Sequence, residues 1–362
     1  MAAKHTPWLI LAIVLLTAVP AASAPPPDGR SPSKVPPGGV LLKGAGATFP
    51  APLYQRWFST YASANPKVAV SYAVVGSGEG IRRFIGKNVA PEERVDFGAS
   101  DAAMRDEEMA AVPGGVILLP VTAGSVVLAY NLPGVPELRL SRRAYAGIFL
   151  GEIREWTHPW IAETNPGVKL PRLGITPVVR QDGSGTTFAM TKHLDAISES
   201  WRARYGAATL VNWPGGPMRA PGNEGVAGRI RQALGSIGYV NYGIARKAGL
   251  TMALLQNRDG SFVRPGDASG TAALGAVELP ENLRLFIPDP AGRDAYPILT
   301  LTWILLYRTY PDAAKAEAIR EIFHWCLVEG QEQSDALGYV RLSSNVAAKA
   351  LAALQRVGSG AN

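Results

Sequence analysis

Short apolar runs alternate with helix-like segments from residue 40 onward, and this alternation limits the fold more than any other feature of the chain. Val68, Val70, Tyr72 and Val74 alternate with small or polar residues, which is typical of a half-buried strand. Further apolar runs lie at 116–122, 125–130, 174–180 and 236–240, and helix-like segments lie near 51–63, 78–86, 186–197, 225–234 and 312–328. Strands separated by helices predict an α/β architecture with largely parallel sheets.

The size and composition of the chain fit a folded protein with a substantial core. Its 362 residues are 47% hydrophobic and 18% charged, so the chain can form two lobes of ordinary size. The formal net charge of +7 attracts anions in general. The basic residues are scattered, and no basic stripe with interleaved aromatic side chains predicts nucleic-acid binding.

The N-terminus has the pattern of an export signal. Residues 1–24 combine a short basic start, an apolar stretch and the small-residue ending Ala22-Ser23-Ala24, which predicts a signal peptide. A membrane anchor is the alternative, but the apolar run is shorter than the roughly 20 residues that span a bilayer comfortably. Residues 25–39 then predict a Pro-rich linker. No cysteine ends the signal to carry a lipid, so we expect a soluble exported protein.

Cys326 is the only cysteine of the chain. It lies in the pattern Ile319, Ile322, Phe323, Cys326, Leu327, whose i, i+3, i+4 spacing is typical of the buried face of a helix. We therefore predict a core thiol, not a nucleophile or a metal ligand, and a chain without an internal disulfide.

Four glycine-containing turns stand where a strand or a loop meets a predicted helix. They are GAGATFPAP at 44–52, GSGEG at 76–80, DGSGTT at 182–187 and GNEG at 222–225. Ligands of open α/β sheets bind at strand ends and at helix N-termini. If these turns converge on one cleft, their backbone N–H groups and hydroxyls form a small anion site.

The sequence offers little for catalysis. Neither GAGATF nor GSGEG has the Lys-Ser/Thr pair of a P-loop, and GSGEG does not have the G-x-S-x-G order of a hydrolase elbow. None of the four histidines, His5, His158, His193 and His324, lies near an HExxH motif or a cysteine pair. We therefore predict no metal site, no cofactor and no His-based catalysis.

The stretch RQDGSGTTF at 180–188 has the donors that an anion needs. The guanidinium of Arg180 carries a permanent charge and a planar fork of N–H groups. Asp182 is placed to hold that guanidinium, although an ordinary surface ion pair is the alternative. Ser184, Gly185 and Thr186 open a predicted helix, where unpaired N–H groups and the helix dipole favour an anion.

Asp101, in VDFGASDAAM, has two possible roles. Its side chain could cap the next helix, whose first turn would hold Asp106, Glu107 and Glu108. In an anion site, however, a carboxylate accepts a hydrogen bond from a ligand that carries a proton and repels one that does not. Asp101 would then favour hydrogen phosphate over sulfate.

The motifs together resemble those of the periplasmic phosphate-binding protein of the bacterial phosphate ABC transporter. The resemblance covers nearly the whole chain after the signal, and the motifs follow the order of that family. They are GAGATFPAPLY (44–54), VGSGEG (75–80), VDFGASDA (95–102), RQDGSGTTF (180–188), GNEGVAGRI (222–230) with IGYVNY (237–242), and YPILTLTWILL (296–306).

The resemblance implies a two-lobed, α/β periplasmic binding protein of the type II, Venus-flytrap kind. Each lobe is expected to be a mixed sheet flanked by helices, with two hinge crossovers between lobe I (40–124 and 290–362) and lobe II (125–289). It further implies a monomeric, non-catalytic protein of the periplasm. Such a protein binds inorganic phosphate and delivers it to a membrane permease for import, with no nucleic-acid partner.

The resemblance also implies which residues contact phosphate. The expected ligand contacts are Thr48, Phe49, Ser77, Asp101, Arg180, Ser184, Gly185 and Thr186, with Asp182 as the partner of Arg180. This chain departs from the family at Glu79, which puts an extra carboxylate near the anion unless it points into solvent. It also departs at 86–97, a longer stretch that we expect to loop outward. The alternative functions are binding of another tetrahedral oxyanion, arsenate or sulfate, and a phosphatase on the same fold.

Overall fold

The computed structural model describes Val35, residues 37–275 and residues 277–360. The predicted signal peptide at 1–24 lies outside the described residues, as does most of the predicted linker at 25–39. Within the described part of the chain, no helix is long and apolar enough to span a bilayer.

Strands and helices alternate along the chain, as the sequence predicts. The strands are β1 (Val40–Gly46), β2 (Val68–Val74), β3 (Phe97–Ser100), β4 (Val116–Tyr130), β5 (Arg139–Leu140), β6 (Thr176–Arg180), β7 (Met218–Ala220), β8 (Ser236–Asn241), β9 (Thr251–Met252), β10 (Leu254–Gln256), β11 (Phe262–Val263), β12 (Leu299–Tyr307), β13 (Thr309–Tyr310) and β14 (Gly358–Ser359). The helices are α1 (Ala51–Ala64), α2 (Ser77–Ile85), α3 (Asp106–Ala110), α4 (Arg142–Phe149), α5 (Pro159–Ala162), α6 (Gly185–Ile197), α7 (Glu199–Arg204), α8 (Gly222–Gln232), α9 (Tyr242–Lys247), α10 (Asp267–Leu274), α11 (Ala313–Leu327) and α12 (Ser344–Leu354). Three 3-10 turns lie at Pro91–Glu93, Glu329–Gln333 and Asp335–Leu337.

Nine strands form one mixed sheet in the order β2-β1-β3-β12-β4-β8-β6-β7, with β9 also paired to β4. The pairs that involve β1 and β6 are parallel, whereas β12 and β4 run antiparallel to their neighbours. The prediction of largely parallel sheets is therefore correct at the two ends of the sheet and wrong at its centre. We call β1, β2, β3 and β12 the first half-sheet and β6, β7, β8 and β9 the second half-sheet.

Strand β4 belongs to both half-sheets. The sequence predicts two apolar runs, at 116–122 and 125–130, but the structure joins them into one strand of 15 residues whose side chains are all buried. Its first part, up to Ser125, pairs with β12, and its second part, from Val126, pairs with β8. The chain thus passes from one half-sheet to the other within a continuous strand.

The helices bury the apolar faces that their spacing predicts. Helix α1 buries Leu53, Trp57, Phe58 and Tyr61, which recur every three to four residues and pack into the core. Helix α11 buries Cys326, which is fully enclosed and whose thiol pKa is raised by burial. The prediction of a core thiol is confirmed.

Candidate functional site

The four predicted glycine turns converge at one place between the two half-sheets. The Gly78 N–H donates to the Gly183 carbonyl at 2.9 Å, and the Gly185 N–H donates to the Ser77 hydroxyl at 3.1 Å. The turns after β1 and at the start of α8 meet through the hydroxyl of Thr48. We call residues 46–49, 76–80 and 99–102 the first wall and residues 180–187 and 220–225 the second wall.

Arg180 supplies a fixed positive charge in the second wall. It ends β6 and is only 2% exposed. Its Nε donates to Asp182 Oδ1 at 2.8 Å, its Nη2 donates to the second oxygen of the same carboxylate, and its Nη1 lies 3.4 Å from the Thr186 hydroxyl. The predicted contact between Asp182 and Arg180 is confirmed. Because Asp182 accepts two hydrogen bonds from the guanidinium, the guanidinium is held in one orientation.

Asp182 stays ionised in this arrangement. Burial is the largest single influence on its pKa and raises it, but the hydrogen bond and charge of Arg180 together with the Gly222 N–H outweigh burial and lower the pKa. The Gly222 N–H donates to Asp182 Oδ1 at 3.0 Å. Asp182 therefore ties the end of β6 to the start of α8 and offsets part of the charge of Arg180.

The start of α6 lies against the first wall. Ser184 caps the helix, because its hydroxyl accepts the Thr187 N–H at 3.1 Å. The N–H groups of the first turn and the positive end of the helix dipole therefore lie beside Ser77 and Asp101. Gly185 has no room for a side chain, since a Cβ atom there would lie 2.5 Å from the Cβ of Asp101.

Asp101 lies in the first wall, enclosed by polar groups. It is 1% exposed, and its Oδ1 accepts the hydroxyl of Thr302 at 2.8 Å. Burial raises the pKa of this carboxyl to about 7, against the lowering effects of Thr302, of the Arg180 charge and of Ser77. The helix-capping alternative is wrong, because α3 begins at Asp106 and its cap is Arg105.

The pKa of Asp101 predicts how pH changes the stability of the ligand-free protein. The pKa is about 3.8 for an ordinary aspartate and about 7 in the fold, so the unfolded chain ionises first. The stability contribution of this group is complete below the unfolded pKa and is lost as pH rises to the folded pKa. Asp101→Asn is therefore expected to melt at a higher temperature than the wild type at pH 8, with a smaller difference at pH 4. A melting difference independent of pH would contradict this expectation.

Glu79 does not point into the cleft. Its carboxylate pairs with Arg82 and with Arg83 on the same helix at 2.7 Å, and both arginines also contact Glu93. The hydrogen bond from Arg82, more than any other influence, lowers the pKa of Glu79 to about 2. Glu93 belongs to the departing stretch 86–97, of whose twelve residues six are exposed, while Val89 and Phe97 are buried. The stretch therefore lies partly at the surface and returns to the core at Phe97, where β3 begins.

Sequence reasoning missed several side chains that contact the predicted site residues, and Asn223 and Thr302 are two of them. Asn223 is fully buried and donates to the hydroxyls of Thr48 and Thr186, at 2.9 and 3.1 Å. Thr302 donates to Asp101. Both lie within the motifs GNEGVAGRI and YPILTLTWILL. Those motifs mark the right segments, but which of their side chains face the cleft follows from the packing of distant elements.

Two tyrosines fix the backbone of the turn after β1. Tyr72 donates its hydroxyl to the Ala47 carbonyl at 2.8 Å, and Tyr339 donates to the Phe49 carbonyl at 2.7 Å. Phe49 is fully buried, and Thr48 is 7% exposed. Because both carbonyls are held by tyrosines, the conformation of the peptide units around Thr48 is set by the core of the protein.

The walls offer many donors, and of the carboxyl groups in the walls that of Asp101 is the buried one. The donors are a guanidinium, hydroxyls and helix-terminal N–H groups, and the acceptor is the carboxyl of Asp101. Among the described residues, no group of three or more His, Cys, Asp or Glu side chains could hold a metal ion. Two cavities, of about 880 and 590 Å³, adjoin the walls; Thr48 is the predicted phosphate contact that lines the larger, and none of the predicted contacts lines the smaller. The donors and the Asp101 carboxyl together have the chemistry to bind a small oxyanion.

Comparisons with known proteins agree with this geometry. The model of the PBP superfamily domain matches residues 21–319. The phosphate-binding protein PstS of Xylella fastidiosa (strain Temecula1 / ATCC 700964) is 36% identical over 311 residues, which cover 85% of this chain and 83% of that protein.

The chain belongs to the PstS family of the PBP superfamily.

Similarity to the PstS family extends to an archaeal relative and to solved structures. PstS of Methanocaldococcus jannaschii is 32% identical over 346 residues, which cover 89% of this chain and 87% of that protein. The structure of a phosphate-binding protein from Stenotrophomonas maltophilia superposes with a TM-score of 0.71 at 21% identity, over 86% of this chain and 93% of that one. The predicted family and the α/β, two-lobed fold class are confirmed.

Proposed function

We propose that the protein binds inorganic phosphate between its two walls and delivers it to the membrane permease of an ABC transporter for import. The observation that carries the proposal is the buried set of donors around Arg180, which faces the buried carboxyl of Asp101. PstS relatives named as phosphate-binding proteins support it. The protein acts as a monomeric, non-catalytic receptor of the periplasm.

The proposed phosphate contacts come from both walls. In the first wall, Thr48 gives its hydroxyl, Phe49 its backbone N–H and Ser77 its hydroxyl, while Asp101 accepts the proton of hydrogen phosphate. In the second wall, Arg180 gives its guanidinium, and the start of α6 gives its hydroxyls and N–H groups. These last contacts are Ser184, Gly185 and Thr186. Asp182 stays behind Arg180 and does not contact phosphate.

The proposed lobes follow the two half-sheets. Lobe I comprises 40–124 and 290–362, and lobe II comprises 125–289. The first crossover is supported by β4, which changes partner after Ser125. The second is supported by Asp289, which pairs with Arg142 of α4 at 2.8 Å, and by Pro288, whose carbonyl accepts from His193 of α6. The chain around this crossover contacts both lobes, because the Leu283 carbonyl accepts from Trp303 of lobe I, whereas the Gly292 and Ala295 carbonyls accept from Asn257 of lobe II. The cleft is proposed to close by a hinge motion of the two lobes about these two crossovers.

Isothermal titration with phosphate and with sulfate tests the proposed ligand. At pH 8, where the Asp101 carboxyl is ionised, we expect phosphate to bind much more tightly than sulfate, because sulfate has no proton for Asp101 and brings its charge against a buried carboxylate. Comparable affinity for the two anions would refute a phosphate-specific site. Arsenate also carries a proton near neutral pH, so it is expected to compete with phosphate.

Asp101→Asn is expected to reduce the discrimination between phosphate and sulfate. The amide removes the charge that repels sulfate and provides an N–H group that can donate to it. We expect the ratio of the two affinities to fall by at least tenfold, about 1.4 kcal/mol, mainly because sulfate binds better. Glu79→Gln removes a carboxylate that lies near the site but faces away from the cleft, and its ratio should match that of the wild type. An unchanged ratio in Asp101→Asn would show that Asp101 does not select the anion.

A phosphatase would need a nucleophile with an adjacent base, or a metal site. The walls combine serine and threonine hydroxyls with no neighbouring histidine. The Asp101 carboxyl accepts from Thr302, and the Asp101 backbone N–H donates to the Ser77 hydroxyl. We therefore expect no hydrolysis of an aryl phosphate by the purified protein. Turnover that disappears in Arg180→Ala would contradict the assignment as a receptor.

A further inference from the structure

Asn223 contacts both walls from the first turn of α8. Its backbone N–H and its Nδ2 both donate to the Thr48 hydroxyl, at 3.2 and 2.9 Å. The same Nδ2 donates to the Thr186 hydroxyl at 3.1 Å. Thr48 lies in the first wall and Thr186 in the second, so one buried amide reaches a hydroxyl on each side of the cleft.

The orientation of this amide is fixed by the backbone of β8. Asn223 Oδ1 accepts the N–H of Asn241 at 3.0 Å. If the amide were flipped, its NH₂ group would face the Asn241 N–H, and two donors would meet in a buried place where an unpaired donor is costly. The NH₂ group therefore points toward Thr48 and Thr186.

This arrangement determines which way the two hydroxyls can donate. A hydroxyl has one proton to give and two lone pairs that accept. The lone pairs of Thr48 receive the two N–H groups of Asn223, and those of Thr186 receive Asn223 and Arg180 Nη1. Each hydroxyl is left with its own proton, which has to find an acceptor elsewhere. An anion in the cleft is such an acceptor.

We propose that Asn223 is a positioning residue that orients the hydroxyl protons of Thr48 and Thr186 toward the bound anion. The inference rests on the proposed function, because it assigns these protons to phosphate. Asn223 does not itself need to touch the ligand. Without its amide, each hydroxyl keeps one fixed donor, the Asn223 backbone N–H at Thr48 and Arg180 Nη1 at Thr186. One lone pair of each is then open, so the hydroxyl proton is no longer confined to the direction of the anion.

Ser77 provides an internal comparison. Its hydroxyl is also filled by two donors, but they are the backbone N–H groups of Asp101 and Gly185 and do not involve Asn223. Removing the Asn223 amide should therefore disturb Thr48 and Thr186 and leave the orientation of Ser77 unchanged. If Asn223 only linked the two walls, removing its amide would affect binding through Thr48 of the first wall. It would not do so through Thr186, because Thr186 lies in the same wall as Asn223.

Double-mutant cycles on phosphate affinity test the proposal. The cycles combine Asn223→Ala with Thr48→Val, Thr186→Val or Ser77→Ala, and isothermal titration gives the dissociation constants. We expect Asn223→Ala to weaken binding by about tenfold or more, which corresponds to about 1.4 kcal/mol. In the Thr48 and Thr186 pairs, the combined loss should fall short of the product of the single losses by about fivefold or more. In the Ser77 pair, the losses should multiply.

Asn165→Ala is the matched control for losing a buried asparagine. Asn165 bonds to Arg139 and to the Ile161 carbonyl, away from both walls. It should lower the melting temperature and keep the phosphate affinity of the wild type. Circular dichroism and thermal melting of every variant identify any variant that fails to fold. If Asn223→Ala fails to fold, Asn223→Ser takes its place in the cycles.

The outcomes separate this proposal from the function on which it rests. If the wild type binds phosphate and the affinity losses of Asn223→Ala and Thr186→Val multiply, the positioning role is overturned. The proposal of a phosphate receptor then still stands. Coupling to Thr48 but not to Thr186 would identify Asn223 as a latch between the walls and would also overturn it. A folded wild type that does not bind phosphate would overturn both.

Discussion

Arg180→Ala is expected to weaken phosphate binding by about 2–5 kcal/mol, roughly thirtyfold to several thousandfold. Arg180 is almost fully buried and supplies the fixed positive charge of the second wall. Its removal takes a cation from the anion and leaves the carboxylate of Asp182 without its partner in a partly buried place. Isothermal titration with phosphate measures the loss.

Arg202→Ala is the charge-matched control for this variant. Arg202 is an exposed arginine of α7 that bonds to the Asp195 carbonyl, so its removal lowers the net charge equally without touching either wall. We expect its phosphate affinity to stay within about twofold of the wild type, as is usual for surface charges. If Arg180→Ala bound phosphate within tenfold of this control, the anion would not contact the guanidinium.

Gly185→Ala is expected to prevent the two walls from meeting. A Cβ atom at Gly185 would lie 2.5 Å from Asp101 Cβ, and 2.7 Å from both Asp101 Cα and Ser77 Oγ. Backbone and Cβ atoms cannot move aside as the end of a flexible side chain can. Relief requires the walls to separate, which breaks the Gly185 to Ser77 hydrogen bond. We expect phosphate affinity to fall by about 1–3 kcal/mol or more, the usual cost of overpacking, or roughly fivefold to more than hundredfold.

Small-angle X-ray scattering with and without phosphate tests whether Gly185→Ala prevents the two walls from closing. Phosphate should make the wild type more compact and leave Gly185→Ala unchanged at the same concentration. Gly228→Ala is the control, because Gly228 lies within α8 and a Cβ there meets no atom within 4 Å. It should bind phosphate normally and melt at the same or a slightly higher temperature. Wild-type affinity in Gly185→Ala would show that the bound state does not bring these walls together.

The sequence predicts the elements of this fold well because each carries a local signal. The predicted helices near 51–63 and 186–197 are α1 and α6, which differ from the prediction by one residue. The two apolar runs predicted at 116–122 and 125–130 belong to a single strand, because the Ala123-Gly124 gap between them looks like a break only in the local pattern. In the structure, β12 on one side and β8 on the other provide partners along the whole strand.

The candidate site is predictable only as far as its chemistry is local. The contact between Arg180 and Asp182 spans two residues, and the pattern predicts it correctly. The surroundings of Asp101 depend on Thr302, about two hundred residues away, so capping and anion recognition could not be separated from spacing alone. Asn223 shows the same limit, since its two partners come from different walls and lie 175 and 37 positions away in the chain.

Glu79 shows that helix spacing alone does not predict which face of a helix points outward. The sequence places a carboxylate beside the anion turn, and Arg82 and Arg83 follow at three and four residues. That spacing favours ion pairs on one helix face. Which face of α2 turns outward, however, depends on how Gly80 packs against Gly46 and Ala99 of the first wall.

In the proposed opening of the cleft, β4 confines the first hinge to a short stretch. A crossover made of unpaired loop could bend anywhere along its length, whereas β4 is paired with β12 up to Ser125 and with β8 from Val126. Neither ladder spans the junction between these two residues. We therefore expect the proposed opening to bend β4 at this junction, while each paired part moves with its own lobe.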